Sequence, residues 1–186
     1  MDHKNLERYL NSFGKQVVEK AKANLTKDKG DTALAGSIRY DITKEFDVKF
    51  FMNSYGTFVD KGVKGAGGEI KSGKHKGTWG GRRYYTTWEG QRKDSPYKFG
   101  SGKSSGSIYK GIGSFIRKKG LQPRSEGGQY MTTVGLKIAI VKVLWIKGIH
   151  GISFFQKPFG FAMKDFDVLY GQALRQDIEE ALKIKK

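Results

Sequence analysis

The amino-acid composition changes abruptly after Gly62, and this change is the strongest constraint on how the chain can fold. Residues 64–128 hold 15 Lys or Arg against four acidic residues, so they carry +11 of a formal net charge of +17. The same stretch contains 16 of the 26 glycines, with aromatic residues between the cations. Flexible linkers are poor in aromatic residues, so this is not a linker composition. A chain of 186 residues is therefore predicted to be a single domain, 1–186, in which 64–128 is an insertion that is ordered alone or orders against a partner.

The segments before the insertion have the periodicity of regular secondary structure. Residues 5–25 place apolar side chains at helical spacing and predict an amphipathic helix. Gly14 is its one poor helix former, at a position where a neighbour could pack closely. Residues 38–42 and 48–52 alternate apolar and polar side chains, which predicts an antiparallel hairpin with one buried face.

Helical spacing returns inside and after the insertion. Residues 108–119 predict a short helix, and a hairpin is a further possibility at 82–88. Residues 131–147 predict a helix, although their β-branched content also permits a strand. Residues 159–185 predict a last helix, in which Gly171 is a candidate break. The predicted fold is α+β, with an antiparallel sheet packed against an N-terminal and a C-terminal helix and with the long basic insertion.

The segment Asn53–Gly62 joins the hairpin to the insertion. Gly56 and Gly62 permit a sharp reversal or a positive φ at its two ends, and Tyr55, Phe58 and Val59 supply an apolar face between them. We interpret the segment as a turn or short helix with a structural role. A ligand site is the less favoured alternative, because such aromatic residues usually pack in a core.

The sequence predicts no catalytic residue, cofactor or metal site. It has no cysteine, and His3, His75 and His150 lie far apart without partners at metal-ligand spacing. The carboxylates of the basic stretch are too dispersed for a metal-dependent nuclease. The N-terminus lacks the layout of a signal peptide, and the longest apolar run, residues 138–146, is too short to cross a bilayer, so no membrane association is predicted.

The basic and aromatic side chains of the insertion are the candidate contacts with a partner. Cations could bind phosphates and aromatic rings could stack on bases, or the same mixture could form protein–protein contacts. A solvated basic surface over packed aromatic rings is the alternative without a ligand. The candidates are Trp79, Arg82, Arg83, Tyr84, Tyr85, Trp88, Arg92 and Lys93.

Three segments outside the insertion resemble a family of small phage proteins, the HK97 gene-product-10-like head–tail connector or tail-completion proteins. The family pattern has an amphipathic helix, a segment like Asp-Thr-Gly-x-Leu-x-x-Ser-Ile, a hairpin, a segment like Tyr-Ala-x-Tyr-Val-Glu-x-Gly-Thr and a late Pro-Phe-x-x-x-Ala. The corresponding segments of this chain, in the same order, are 31–38 (DTALAGSI), 55–62 (YGTFVDKG) and 158–162 (PFGFA), the last preceded by Gly148–Ile149 and Phe154–Phe155.

The match to that family pattern has departures. Ala33 replaces the usual Gly, Leu34 is shifted by one position, Asp60 replaces Glu and Val63 replaces Thr. The resemblance covers about 120 residues and leaves 64–128 without a counterpart.

The resemblance implies a structural virion protein rather than an enzyme. Such a protein acts at the head–tail junction, in the neck or in tail completion, as a homo-oligomeric ring of six or twelve subunits around the DNA channel. Its implied partners are other neck or tail proteins and the packaged DNA, and it assembles in the host cytoplasm. The alternative that the residues themselves support is a basic nucleic-acid-binding module that uses residues 64–128.

Overall fold

A computed structural model describes residues 3–29, 32–99, 107–122 and 132–183. These residues combine helices with short antiparallel strand pairs, so the α+β class is confirmed. The chain divides into two compact units. Unit 1 comprises Met1–Asp60, Thr86–Arg92 and Ile152–Lys186, and unit 2 comprises Lys61–Tyr85 and Lys93–Gly151. Unit 2 thus includes most of the predicted insertion and also the helix that follows it.

The helices agree closely with the apolar periodicity. Those of unit 1 are α1 (Lys4–Lys29), α2 (Thr32–Ser37), α3 (Gly56–Lys61), α6 (Gln156–Met163) and α7 (Phe166–Lys183), although Lys61 itself is assigned to unit 2. Those of unit 2 are α4 (Ser107–Lys119) and α5 (Thr133–Lys147). The interruption of the last predicted helix lies at Lys164–Asp165, and Gly171 is inside α7.

In the described part of the chain, the strands form four two-stranded sheets. In unit 1, β1 (Arg39–Ile42) pairs with β2 (Val48–Phe51) in the register Arg39 to Phe51, as the alternation predicts. In unit 2, β3 (Gly62–Lys64) pairs with β8 (Gly148–His150), and β4 (Gly68–Ile70) pairs with β5 (Gly77–Trp79). The strands β6 (Tyr84–Thr86) and β7 (Arg92–Asp94) form the fourth pair, whose second strand lies beyond the hairpin predicted at 82–88. The insertion residues 100–106 and 123–128 lie outside the described part of the chain.

The core of unit 1 lies along α1. Its buried face packs on α6, α7, α2 and β1, and the fully buried side chains include Leu6, Leu10, Val17, Ala21 and Leu25. Phe13 meets Phe166 edge to face with ring centroids 4.8 Å apart, and it also contacts Phe50 and Phe159. These aromatic contacts join the hairpin to the C-terminal helices.

Gly14 is where the sequence predicted a close approach, and the structure confirms it. The ring of Tyr40 lies so near that a Cβ on Gly14 would be 2.3 Å from Tyr40 Cδ2. The Tyr40 hydroxyl donates to the backbone oxygen of Asn11 at 3.2 Å, which holds the ring across α1.

The start of α1 is capped by a residue that is distant in sequence. Asp177 of α7 is 1% exposed, and its carboxylate accepts hydrogen bonds from Asn5 N at 2.9 Å and Leu6 N at 3.0 Å. The first N–H groups of a helix have no partner within the helix, so an acceptor there is stabilising. Burial alone would raise the pKa of Asp177, but these hydrogen bonds, with that from the Asn5 side chain and the nearby charge of His3, hold its pKa below the ordinary value.

Candidate functional site

The segment Asn53–Gly62 is organised by one buried carboxylate. Asp60 lies in α3 and is 5% exposed. Its Oδ1 accepts hydrogen bonds from Phe155 N at 2.9 Å and from Gln156 N at 3.3 Å. Both N–H groups belong to the start of α6, so Asp60 caps that helix from 95 residues away. This geometry gives Asp60 a structural role, in keeping with the interpretation of the segment as a turn or short helix.

A short stretch of backbone beside Asp60 adds to this junction. Ser153 has a φ of 54°, in the left-handed region, and is 1% exposed. Its N–H donates to Asp60 O at 2.9 Å, while its hydroxyl accepts from Thr86 N at 3.0 Å. A non-glycine residue is held in this conformation only where its surroundings require it. Sequence reasoning gave no signal for Ser153.

The three segments that carry the family resemblance meet in the same core. Leu34 and Ile38 of the first segment pack with Phe154, which lies just before the third, and all three are at most 1% exposed. Gly56, which opens the second segment, lies against Met52 and Leu34, and a Cβ there would be 2.5 Å from Met52 Sδ. A Cβ on Gly56 would therefore require the Met52 side chain to move, whereas a positive φ, 74°, is found at Gly62.

The predicted contact residues divide between the two units. Trp88 and Arg92 belong to unit 1, and Trp79, Arg82, Arg83, Tyr84, Tyr85 and Lys93 belong to unit 2.

Trp88 packs within unit 1 rather than standing free. Its indole covers Gly160 so closely that a Cβ there would be 2.1 Å from Trp88 Cδ1. Its ring also meets Phe161 edge to face at 6.0 Å. This is the packed role that the alternative without a ligand predicts for the aromatic residues.

The other predicted contacts differ in exposure. Arg82 and Lys93 are exposed, while Tyr84 and Tyr85 are half-buried. Tyr84 meets His150 edge to face at 4.8 Å. Arg82 and Lys93 are thus the solvent-facing cations among the candidates of unit 2.

Trp79 forms part of a cation cluster that the sequence did not reveal. Lys147, the last residue of α5, lies with its Nζ 3.3 Å from the centre of the Trp79 ring. The same Nζ is 2.9 Å from His75 Nδ1. Because an ammonium group can only donate, Nδ1 accepts and the neutral His75 ring carries its proton on Nε2. Trp79 Nε1 donates to His75 O at 3.0 Å, which holds the indole beneath the ammonium.

Arg83 adds a second charge to this cluster. Its side-chain stem covers Gly148, the residue after Lys147, where a Cβ would lie 2.8 Å from Arg83 Cγ. Its Nε is buried and has no hydrogen-bond partner in the described part of the chain, and its Nη1 donates to Arg82 O at 3.2 Å. Burial lowers the pKa of Arg83, and the pKa of Lys147 is lowered by partial desolvation and then by the charge of Arg83.

Few carboxylates are available to balance these cations. Unit 2 contains 18 Lys or Arg and three acidic residues, a net charge of +15. Of the acidic residues, Asp94 is paired with Lys64 at 3.6 Å, and Glu69 lies opposite Thr78 on the face of the β4–β5 pair away from Trp79. No ion pair of Arg83 or Lys147 occurs among the described residues.

A cavity of about 420 Å³ lies beside His75 in unit 2. One wall is the apolar face of α5, and the other is the link between β4 and β5. Its lining residues are Ser72, Gly73, Lys74, His75, Ala139, Ile140, Val143 and Leu144.

The described ranges contain no group of three or more His, Asp or Glu side chains that could hold a metal ion. In the part of the chain with assigned structure, none of the helices combines the length and the apolarity that crossing a bilayer requires. Comparison with protein-family models, curated proteins and solved structures finds no match to this chain.

Proposed function

We propose that this protein is a structural component of a phage head–tail junction, in the neck or in tail completion. In this proposal it works as a ring of identical subunits around the DNA channel, within a virion assembled in the host cytoplasm. Its core fold is an antiparallel sheet packed against the N-terminal and C-terminal helices, and residues 64–128 are an insertion into that core. It has no catalytic role.

One observation carries the proposal. The first two segments that resemble the connector family share a core with Phe154 and Phe155, and Phe159 of the third segment stacks on Phe155 with ring centroids 5.9 Å apart. Short sequence motifs that arise by chance have no reason to share a core, whereas the structural motifs of one fold do. This packing supports reading the three segments together as the signature of one fold.

The exposed face of α7 supports self-association. Its residues Val168, Gly171, Arg175, Ile178 and Leu182 follow one another at intervals of three or four and so share one stripe. Val168 is 63% exposed, Ile178 is 42% exposed and Leu182 is 64% exposed. Apolar patches of this kind mark contacts between proteins, and a closed ring needs two different complementary patches on each subunit.

The test is assembly of the full chain. Light scattering coupled to size exclusion and electron microscopy of the purified protein should reveal closed rings. Val168→Lys combined with Ile178→Lys should reduce them to monomers, whereas Gln176→Lys, an exposed change off the stripe, should leave them intact. A protein that stays monomeric at every concentration and never joins a capsid or tail assembly would refute the proposal.

A nucleic-acid-binding module is the second candidate function, favoured by the net charge of +15 on unit 2. It requires an affinity for DNA or RNA that falls steeply with salt, because bound cations release counterions. Replacing Arg82, Arg83, Arg92 and Lys93 by Ala should flatten the salt dependence. If the slope is unchanged, these residues do not bind nucleic acid.

A further inference from the structure

We infer that Arg83 and Lys147, with His75 and Trp79, form a phosphate-binding site in unit 2. The ligand is a tetrahedral phosphate, which is either a free phosphate group or one phosphate of a nucleic-acid backbone. The site is independent of ring assembly, because every residue in it belongs to unit 2 of a single chain.

The cluster has an excess of hydrogen-bond donors. The buried Arg83 Nε has no partner among the described residues, and an unpaired buried donor costs free energy. The Lys147 ammonium has three N–H bonds, of which one is directed at His75 Nδ1. A phosphate offers several acceptor oxygens, and both the guanidinium of Arg83 and the ammonium of Lys147 can donate to them.

The charge balance of the cluster also favours a bound anion. The two cations repel each other, which contributes to the lowered pKa of Lys147. Two carbonyl oxygens at the end of α5 already accept backbone hydrogen bonds. Trp145 O accepts from Ala66 N at 2.8 Å, and Ile146 O accepts from Gly67 N at 3.1 Å. A bound anion would remove the repulsion.

Part of the site is already positioned. The indole of Trp79 is held by its bond to His75 O, and it keeps the Lys147 ammonium within 3.3 Å of its ring centre. A cation fixed in this way loses little side-chain entropy on binding, which favours affinity. The exposed His75 ring can add its Nε2 proton as a further donor.

The experiment uses the full chain and two probes, inorganic phosphate and a short single-stranded DNA oligonucleotide, with binding measured by calorimetry at fixed salt. Arg83→Gln and Lys147→Gln should each weaken phosphate binding at least tenfold, equivalent to about 1.4 kcal/mol. Arg82→Gln is the matched control, since it removes the same charge from the exposed neighbour. It should change the affinity less than twofold.

The two probes distinguish the source of the phosphate. Parallel losses for both probes indicate a site for the nucleic-acid backbone, and a loss for inorganic phosphate alone indicates a site for a free phosphate group. Equal losses in Arg82→Gln would mean diffuse electrostatic attraction and would overturn the inference, as would unchanged binding in Lys147→Gln.

Tryptophan fluorescence gives a second readout that does not depend on the stability of the Arg83 variant. Phosphate bound to the ammonium of Lys147 should change the emission of the adjacent Trp79 in the wild-type chain. Trp79→Phe, which removes the reporting indole, should abolish this change. An emission change that persists in Trp79→Phe contradicts the assigned site.

Discussion

The same substitution should have opposite effects at two helical glycines, Gly14 and Gly171. Ala is favoured over Gly in a helix interior by about 1 kcal/mol, so both changes gain that amount locally. At Gly171 no described atom lies within 4 Å of the new Cβ, so the gain is retained. At Gly14 the Cβ would lie 2.3 Å from Tyr40 Cδ2 and 2.7 Å from Tyr40 Cγ, well inside van der Waals contact.

The magnitude at Gly14 follows from how little the Tyr40 ring can move. Its hydroxyl is bound to Asn11 O, and its Cγ is close to the backbone, so relief requires a shift of β1 or α1. Overpacking of this kind costs about 1–3 kcal/mol. After the helical gain, Gly14→Ala should destabilise unit 1 by up to about 2 kcal/mol, whereas Gly171→Ala should stabilise it by about 0.5–1 kcal/mol.

Thermal unfolding followed by far-ultraviolet circular dichroism measures both effects. A change of 1 kcal/mol shifts the midpoint by about 2–4 °C in a chain of this size, so the two variants should differ by several degrees. A double-mutant cycle with Tyr40→Ala isolates the cause. Without the ring, Gly14→Ala should become neutral or stabilising. If Gly14→Ala remains equally harmful in that background, steric conflict with Tyr40 is not the reason.

Three further perturbations test the buried contacts of unit 1. Asp177→Asn should cost about 1–3 kcal/mol in urea unfolding at pH 7, because two backbone N–H groups lose a charged acceptor. The pKa of Asp177 is lower in the folded than in the unfolded chain. Its contribution to the free energy of unfolding is therefore complete above the unfolded pKa of about 4 and is lost as the pH falls through the folded pKa. A loss of stability in Asp177→Asn that is the same at pH 2 and pH 7 would contradict this. Asp60→Ala should cost about 1–3 kcal/mol by leaving Phe155 N without its acceptor, and a loss below 0.5 kcal/mol in the same assay would rule out the capping role. Gly160→Ala should displace Trp88, with a red-shifted emission and a cost of about 1–3 kcal/mol, and unchanged emission would show that the indole does not pack there.

Much of the local structure could be predicted because it depends on neighbouring residues. The apolar spacing of 5–25 predicts α1, that of 131–147 favours the observed α5 over a strand, and the alternation around Tyr40 and Phe50 predicts the hairpin of β1 and β2. Capping is less local, because the carboxylate that accepts from the first N–H groups of α1 belongs to Asp177, near the other end of the chain. No sequence pattern marked the interruption of the last helix near Lys164. The adjacent Phe166 packs on Phe13, which is distant in sequence.

The residues of the candidate site could be predicted from the sequence only in part, for the same reason. The concentration of charge in residues 64–128 leads to the choice of Trp79 and Arg83 as candidates, but it does not indicate that Lys147 and His75 lie beside Trp79. It also groups Trp88 with the exposed cations, although its ring packs on Gly160. Composition records which groups are present, whereas side-chain contacts across 70 or more residues depend on how the elements pack.

The sequence by itself determined the class of secondary structure, the apolar faces and the segregation of positive charge, because each follows from short-range periodicity or from composition. Only the tertiary structure decided what individual residues do. It decided that the Tyr40 ring packs against Gly14, that Asp60 and Asp177 cap helices distant in sequence, and that Lys147 lies over Trp79. The physical reason is that steric fit, hydrogen bonding and desolvation act between groups that are close in space, irrespective of their separation along the chain.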